Sequence, residues 1–178
     1  FKVEPGVITG FLGANGAGKT TSIKCLLGLS FPNAGKIRYF GNEELSSSVK
    51  SRIGFLPERP YFYEYLTGYE FLCFYAKLSE NQNRKVDLGR IQSLLSRVSL
   101  EHAKDRPLRS YSKGMLQRIG IAQALVHRPE FVILDEPMTG LDPVGRKEVR
   151  DLMLQLKEQG KTVFFSTHIL SDVETVCD

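Results

Sequence analysis

The sequence predicts an α/β fold built on a mainly parallel sheet, and three observations point to it. Short apolar runs alternate with amphipathic segments along most of the chain. A glycine-rich loop lies between the first of these runs and the first amphipathic segment. Residues 59–128 differ from the rest, because apolar and aromatic residues there recur mainly at helical spacing. We therefore expect residues 1–58 and 129–178 to form an α/β core, with residues 59–128 inserted as a helical subdomain.

The glycine-rich loop fits the pattern G-x-x-x-x-G-K-[ST], and it consists of Gly13, Ala14, Asn15, Gly16, Ala17, Gly18, Lys19 and Thr20. A predicted buried strand over residues 7–12 precedes it, and a predicted helix over residues 21–29 follows it. This context lets the N–H groups of the loop and of the helix start surround a phosphate. Lys19 is expected to reach the β- and γ-phosphates, and the Thr20 hydroxyl to bind Mg²⁺. Thr21 completes the predicted nucleotide-binding stretch.

The remaining elements follow from periodicity and from turn residues. Further strands are predicted over residues 36–40, 52–56, 131–134 and 162–166. Helices are predicted over residues 66–78, around the apolar stripe Ile91, Leu94, Leu95 and Val98, and after His168. Two further helices are predicted with caps: one covers residues 112–128 with Ser112 as its cap, and the other begins at the cap Asp142 and ends at Gly160. Residues 43–51 are expected to be a loop or a short exposed helix, and residues 79–85 a polar break.

Composition excludes several function classes. The 178 residues are 42% hydrophobic and 25% charged, which is ordinary for a folded domain. The net charge is +4, and the sequence contains no run of five like charges, so nucleic-acid binding is not expected. Cys25, Cys73 and Cys177 are widely spaced, which argues against disulfides or a zinc site and suits a reducing compartment. No stretch approaches the ~20 apolar residues of a membrane span. The chain starts at Phe1 and stops within a helical pattern, so we expect it to be cut at both ends.

Four more motifs accompany the glycine-rich loop. An apolar strand ends in Asp135 and Glu136. Asp135 is placed to hold Mg²⁺, and Glu136 to orient and deprotonate an attacking water. Residues 111–115, Tyr-Ser-Lys-Gly-Met, form a turn that opens a helix, and such an N-terminus presents free N–H groups to an anion. Residues 140–142 follow, and His168 stands at the end of the last strand.

With these motifs in this order, the chain resembles the ATP-binding subunit of an ABC transporter over essentially its whole length. The glycine-rich loop is similar to the Walker A motif, residues 131–136 to Walker B, residues 111–115 to the ABC signature, Leu141-Asp142 to the D-loop and His168 to the switch histidine. The resemblance implies one ABC ATPase domain with a RecA-like P-loop NTPase core, whose helical subdomain carries the signature. It also implies a Mg²⁺-dependent ATPase in which Lys19, Glu136 and His168 are catalytic.

The resemblance further implies partners. Ser112 and Gly114 would contact the γ-phosphate of ATP held by a second ABC ATPase subunit, with Asp142 beside them as both D-loop residue and helix cap. A two-fold homo- or heterodimer would then contain two composite ATP sites. Closure of the dimer on ATP and its opening after hydrolysis would drive a separate transmembrane permease from the cytoplasmic face of the membrane. Substrate specificity would lie in that membrane partner.

Two motifs depart from the commonest family pattern. The signature has Tyr111, Lys113 and Met115 where Leu, Gly and Gln are commoner. Glu58 stands at the position of the Q-loop glutamine, where we expect it to sense the γ-phosphate and Mg²⁺. Both variants are familiar in the export-type branch of the family, which makes an importer the less favoured alternative. The aromatic residue that stacks on adenine in the family lies about 25 residues before the Walker A lysine, and here that position would fall ahead of Phe1.

Other functions compete with transport. A translation-factor type ABC ATPase with tandem cassettes stays open as the alternative. DNA-repair members are excluded, because the stretch between Lys19 and Ser112 is too short for their long coiled coils. A nucleotide-dependent binding module without turnover is opposed by Glu136. A group of eight aromatic residues between Tyr61 and Tyr75 is expected to be mainly core, with some members lining a groove for the membrane partner.

Overall fold

The computed structural model describes residues 1–41, 43–79 and 86–177. In these ranges, one or more helices follow each strand, in the order β1 (Ile8–Leu12), α1 (Lys19–Leu26), α2 (Ser47–Lys50), β2 (Ile53–Leu56), α3 (Gly68–Ser79), α4 (Leu88–Arg97), α5 (Lys113–Ala124), β3 (Phe131–Leu134), α6 (Pro143–Glu158), β4 (Thr162–Thr167) and α7 (Leu170–Val176). Short 3₁₀ turns at Glu101–Ala103 and Leu108–Ser110 connect α4 to α5. Helices separate the strands, so the strands pair in parallel.

The described strands form one parallel sheet in the order β1-β4-β3-β2. Leu12 of β1 lies opposite Thr167 of β4, and Leu134 of β3 lies opposite Phe165 of β4. The carboxyl ends of the strands therefore meet at one edge of the sheet. The loops that follow β1, β2, β3 and β4 all leave from this edge, which is where ligands bind in sheets of this kind.

Alternating side chains on the central strands point into two separate hydrophobic layers. Ile133 and Phe164 pack with Ile23 of α1 and Val49 of α2 on one face. The other face, which includes Val132, Leu134, Val163 and Phe165, packs against α5, α6 and α7. The sheet is therefore covered on both sides, as a parallel sheet requires.

The helices α3, α4 and α5 pack on one another and continue the second hydrophobic layer away from the sheet. Phe71, Leu94 and Ile119 are fully buried there. α5 also contacts β2 directly, and Gly54 allows this close approach. The described helices between residues 59 and 128 are thus joined to the sheet through α5.

Most predicted elements are confirmed with ends shifted by a few residues. α1 begins at Lys19 instead of residue 21, and α5 ends at Ala124, well before residue 128. Ser112 and Asp142 are the caps of α5 and α6, as expected. Residues 43–51 contain the short helix α2, which was one of the two alternatives, although its Val49 is buried. Residues 80–85 of the predicted polar break lie outside the described residues.

The strand predicted over residues 36–40 is wrong. This segment is not part of the sheet, and its pairing is an isolated antiparallel bridge between Tyr39 and Glu43. Phe40 and Gly41 adopt φ values of 45° and 97°, so the chain turns back on itself immediately after Tyr39. The apolar character of the segment serves packing, because Tyr39 is buried and its hydroxyl donates to the Leu26 carbonyl at 2.7 Å.

The described residues contain no helix that is both long and apolar enough to cross a membrane. They also contain no group of three or more His, Cys, Asp or Glu side chains arranged to hold a metal ion by themselves.

Candidate functional site

The glycine-rich loop occupies residues 13–18, between the end of β1 and the start of α1. Gly13 N–H donates to the carbonyl of Thr167 at 3.1 Å, which anchors the loop to the end of β4. Gly18 precedes α1 with φ 90°, a conformation that favours glycine, and no side chain caps the helix. The first N–H groups of α1 therefore remain available to an anion.

A cavity of about 340 Å³ opens over this loop. One side is lined by residues of the loop and of the start of α1, namely Asn15, Gly16, Gly18, Lys19, Thr20 and Thr21. The other side is formed by Glu58 after β2, Glu136 and Thr139 after β3, and His168 after β4. The structure thus brings together, from four separate stretches of the chain, nine predicted site residues and Thr139, which was not predicted. We call this space the P-loop cavity.

Lys19 is held inside the P-loop cavity and is 7% exposed. Its ammonium donates to the carbonyls of Gly13 at 2.6 Å and Ala14 at 3.2 Å. It also lies 3.2 Å from Oε1 of Glu136, whose side chain is similarly buried. The loop carbonyls thus fix the position of a cation that faces both the phosphate-binding loop and the acidic residue after β3.

Glu136 has a second set of contacts at its other oxygen. Oε2 accepts a hydrogen bond from the Thr139 hydroxyl at 2.7 Å and lies 2.9 Å from Nδ1 of His168. An ionised carboxylate only accepts, so this Nδ1 carries the proton in that contact. Burial alone raises the pKa of Glu136, but the hydrogen bonds from Thr139 and His168 and the ion pair with Lys19 outweigh it, and the pKa is lowered from its ordinary value. The side chain is therefore a carboxylate at neutral pH.

Asp135 lies behind Glu136 and is 1% exposed. The Ser166 hydroxyl donates to its Oδ1 at 2.5 Å and accepts the Glu136 N–H at 2.9 Å. Oδ2 of Asp135 is buried and has no hydrogen-bond partner within the described part of the chain. Glu136 adopts φ 51°, which is uncommon for a residue with a side chain, and its bond to Ser166 helps to hold that conformation.

The remaining predicted site residues lie elsewhere. Ser112, Gly114 and Asp142 line a second cavity of about 450 Å³, between the N-terminal ends of α5 and α6. We call it the signature cavity. Ser112 accepts the Met115 N–H at 3.3 Å, and Asp142 accepts the Gly145 N–H at 3.1 Å, so both side chains cap their helices. Neither cavity is lined by residues of the other.

Sequence reasoning missed two residues that shape the site. Thr139 holds Glu136 directly, and Ser166 joins Asp135 to Glu136. Ser166 did leave a signal, because it is a polar residue that ends an apolar strand pattern beside the predicted edge. Thr139 left none.

The ring of Phe1 packs on two other aromatic rings. Its centroid lies 5.6 Å from that of Phe11 and 5.8 Å from that of Phe164.

A parallel sheet with a phosphate-binding loop after β1 and an acidic pair after β3 defines the class of P-loop nucleotide hydrolases. Within this class the chain belongs to the ABC transporter family, whose sequence model matches residues 1–139, and it is the ATP-binding part of such a protein. The fold is shared with solved structures. The ATP-binding subunit of an ABC transporter aligns with a TM-score of 0.82 at 32% identity, covering 100% of this chain and 75% of that one.

A second solved structure, of cbiO1 from Clostridium perfringens, part of the ABC transporter complex cbiONQ, aligns with a TM-score of 0.83 at 31% identity, over 100% of this chain and 73% of that chain. Among curated proteins, an uncharacterised ABC transporter ATP-binding protein from Nostoc sp. is 51% identical over 99% of this chain and 53% of its own length. The bacitracin transport ATP-binding protein BcrA from Enterococcus faecalis is 44% identical over 99% of this chain and 57% of its own length. The chain thus spans about half the length of these curated relatives.

Proposed function

We propose that this chain is a Mg²⁺-dependent ATPase domain that powers a separate transmembrane permease. The observation that carries the proposal is the Glu136 carboxylate in the wall of the P-loop cavity, held by Lys19, Thr139 and His168. A base must be ionised before it accepts a proton, and the lowered pKa of Glu136 provides that state. Glu136 accepts a proton from the attacking water in this proposal, while Lys19 attracts the phosphates and His168 holds the carboxylate in place.

The residues of the site fit Mg²⁺. Asp135 has a buried oxygen without a hydrogen-bond partner among the described residues, and Thr20 and Glu58 present oxygen atoms to the P-loop cavity. Mg²⁺ prefers oxygen ligands and usually takes one or two carboxylates together with substrate phosphates and water. Thr20, Asp135 and Glu58 would therefore hold the ion. When bound, it offsets negative charge on the phosphates.

The separation of the two cavities supports a composite site. A phosphate bound at the P-loop would lie in the P-loop cavity, whereas Ser112, Gly114 and Asp142 line a different cavity. In our proposal two ATPase subunits pair about a two-fold axis, so that the signature cavity of each subunit covers the P-loop cavity of the other. The helix start at Ser112 then directs N–H groups at the γ-phosphate. ATP would close the dimer, and hydrolysis would release it.

We propose that the permease docks near the aromatic group that precedes and enters α3. Tyr61 and Tyr65 are 80% and 73% exposed, whereas Phe71 of the same group is buried. In this assignment residues 59–128 act as the helical subdomain and the remainder as the ATP-binding core, peripheral to the cytoplasmic face of the membrane. The name of the bacitracin transport relative favours transport over the translation-factor alternative, and Lys113 and Glu58 favour the export-type branch.

The test is steady-state ATP hydrolysis by the full-length protein. Glu136→Gln keeps the shape of the side chain but removes the base, so turnover should fall by ~100-fold or more. Binding of ATP should remain, because the substitution leaves the P-loop intact. Glu174→Gln makes the same chemical change at an exposed position of α7 and should leave turnover unaltered. Turnover of Glu136→Gln close to the wild-type value would refute the proposal.

A further inference from the structure

Thr167 lies between the phosphate-binding loop and His168, which contacts Glu136 in the wall of the P-loop cavity. It ends β4 and is 2% exposed. Its backbone carbonyl accepts the Gly13 N–H at 3.1 Å and so anchors the start of the phosphate-binding loop. The next residue, His168, contacts Glu136. A displacement of Thr167 would therefore move both the loop that holds phosphate and the histidine that holds the base.

The hydroxyl of Thr167 is fixed by two hydrogen bonds. It donates to Oδ2 of Asp172 at 3.1 Å and accepts the Ile169 N–H at 3.1 Å. The first contact ties Thr167 to the start of α7, and the second shapes the turn that contains His168. Asp172 is 6% exposed, so water does not replace these contacts readily.

The other oxygen of Asp172 is paired with Arg146. Nη2 of Arg146 donates to Oδ1 of Asp172, and Arg146 lies in the first turn of α6, one turn after the cap Asp142. A buried carboxylate needs such a partner, because an unpaired charge away from water is strongly unfavourable. The pair therefore fixes the start of α6, which borders the signature cavity, relative to the turn after β4.

We infer that Arg146, Asp172 and Thr167 form a positioning relay that connects the signature cavity to the P-loop cavity. Arg146 and Asp172 do not line either cavity. Any shift of the α6 start, where Asp142 and Gly145 border the signature cavity, is passed through Asp172 to Thr167. From Thr167 it reaches Gly13 through the carbonyl and Glu136 through His168. The inference rests on the proposed function, since it assumes that α6 borders the ATP of the opposite subunit.

Thr167 offers a matched pair of variants for the full-length protein. Thr167→Val keeps the branched shape but removes the hydroxyl, whereas Thr167→Ser keeps the hydroxyl. Removing one partner of a buried hydrogen bond to a carboxylate should lower kcat by at least about fivefold. KM for ATP should also rise by at least about twofold, because the relay acts on the Gly13 anchor of the phosphate-binding loop as well as on His168. Thr167→Ser should restore kcat to within about twofold of the wild-type value.

Asp172→Asn tests whether the three residues act as one unit. It should lower kcat on its own, and adding Thr167→Val should lower it by no more than about a further twofold, because contacts in one network are not additive. Arg150→Met is the control, since Arg150 lies on the same helix and its Nε is 3.9 Å from Oδ1 of the half-buried Asp151. Independent, multiplicative losses in the double variant would overturn the relay, as would a wild-type kcat in Thr167→Val.

Amide hydrogen exchange rates test the relay without measuring ATP hydrolysis. The N–H groups of Gly13 and Ile169 both bond to Thr167, so Asp172→Asn should speed exchange at both, whereas Arg150→Met should not. Unchanged exchange at the two amides would overturn the inference even in a protein that hydrolyses ATP. Conversely, a wild-type protein that does not hydrolyse ATP would refute the proposed function, while faster exchange in Asp172→Asn would still support the relay.

Discussion

Removal of the Ser166 hydroxyl should destabilise the fold and distort the acidic pair together. Ser166 is fully buried, and its hydroxyl both donates to Oδ1 of Asp135 and accepts the Glu136 N–H. Ser166→Ala leaves both groups without a partner. Each orphaned buried group costs roughly 1–3 kcal/mol, so the two together should lower the free energy of unfolding by roughly 2–6 kcal/mol. That is a large share of the ~5–15 kcal/mol that stabilises a typical domain.

Urea unfolding of the purified protein measures this loss. Ser171→Ala is the matched control, because Ser171 is exposed on α7 and its removal should change the free energy of unfolding by less than about 0.5 kcal/mol. The surviving folded Ser166→Ala protein should also hydrolyse ATP more slowly, since Ser166 holds Glu136 at its uncommon φ. A free energy of unfolding within about 0.5 kcal/mol of wild type would refute the reasoning.

Two other predictions concern the pH dependence and the packing of β2. Thr139→Val removes a hydrogen-bond donor to Glu136, so the pKa of Glu136 should rise. Hydrolysis needs the carboxylate form and is lost as the pH falls through that pKa. The acid-side loss of kcat/KM should therefore begin at a higher pH in the variant than in wild type. An unshifted pH profile would contradict this. A Cβ at Gly54 would overlap the carbonyl oxygen of Ala124, so Gly54→Ala should lower the free energy of unfolding by about 1–3 kcal/mol. The control is Gly89→Ala at an exposed position of α4, which should be neutral or stabilising by up to about 1 kcal/mol. Equal thermal midpoints for the two variants would count against the close packing of α5 on β2.

Much of the fold could be predicted because its signals are local. The strand β3 is a continuous apolar run between Glu130 and Asp135, and β1 and β4 are at least half apolar, which is the pattern of strands in a covered parallel sheet. The caps Ser112 and Asp142 were readable for the same reason. The segment at residues 36–40 alternates charged and apolar residues, which is also typical of a strand, but whether such a segment becomes a strand depends on a neighbour to pair with, and the segment itself does not encode that neighbour.

The site was predictable as a set of residues but not as a set of contacts. The motif spacing placed Lys19, Glu136 and His168 at one edge of a parallel sheet. The pairing of Glu136 with Thr139 depends on the left-handed backbone at Glu136, for which the sequence carries no signal. The bond from Ser166 to Asp135 joins the end of β4 to the residue that follows β3, and its existence depends on the strand order.

The central claim is that two chains complete one ATP site, and ATP-dependent dimerisation of the full-length Glu136→Gln protein tests it most directly. With saturating ATP and Mg²⁺, light scattering after size exclusion should show the mass of a dimer, and without nucleotide the dimer should dissociate. Adding Ser112→Arg, which places a bulky side chain at the exposed mouth of the signature cavity, should abolish the ATP-dependent dimer while each chain still binds ATP. The claim would be contradicted by a dimer that forms equally well in this double variant, or by dimerisation of the Glu136→Gln protein that does not depend on ATP.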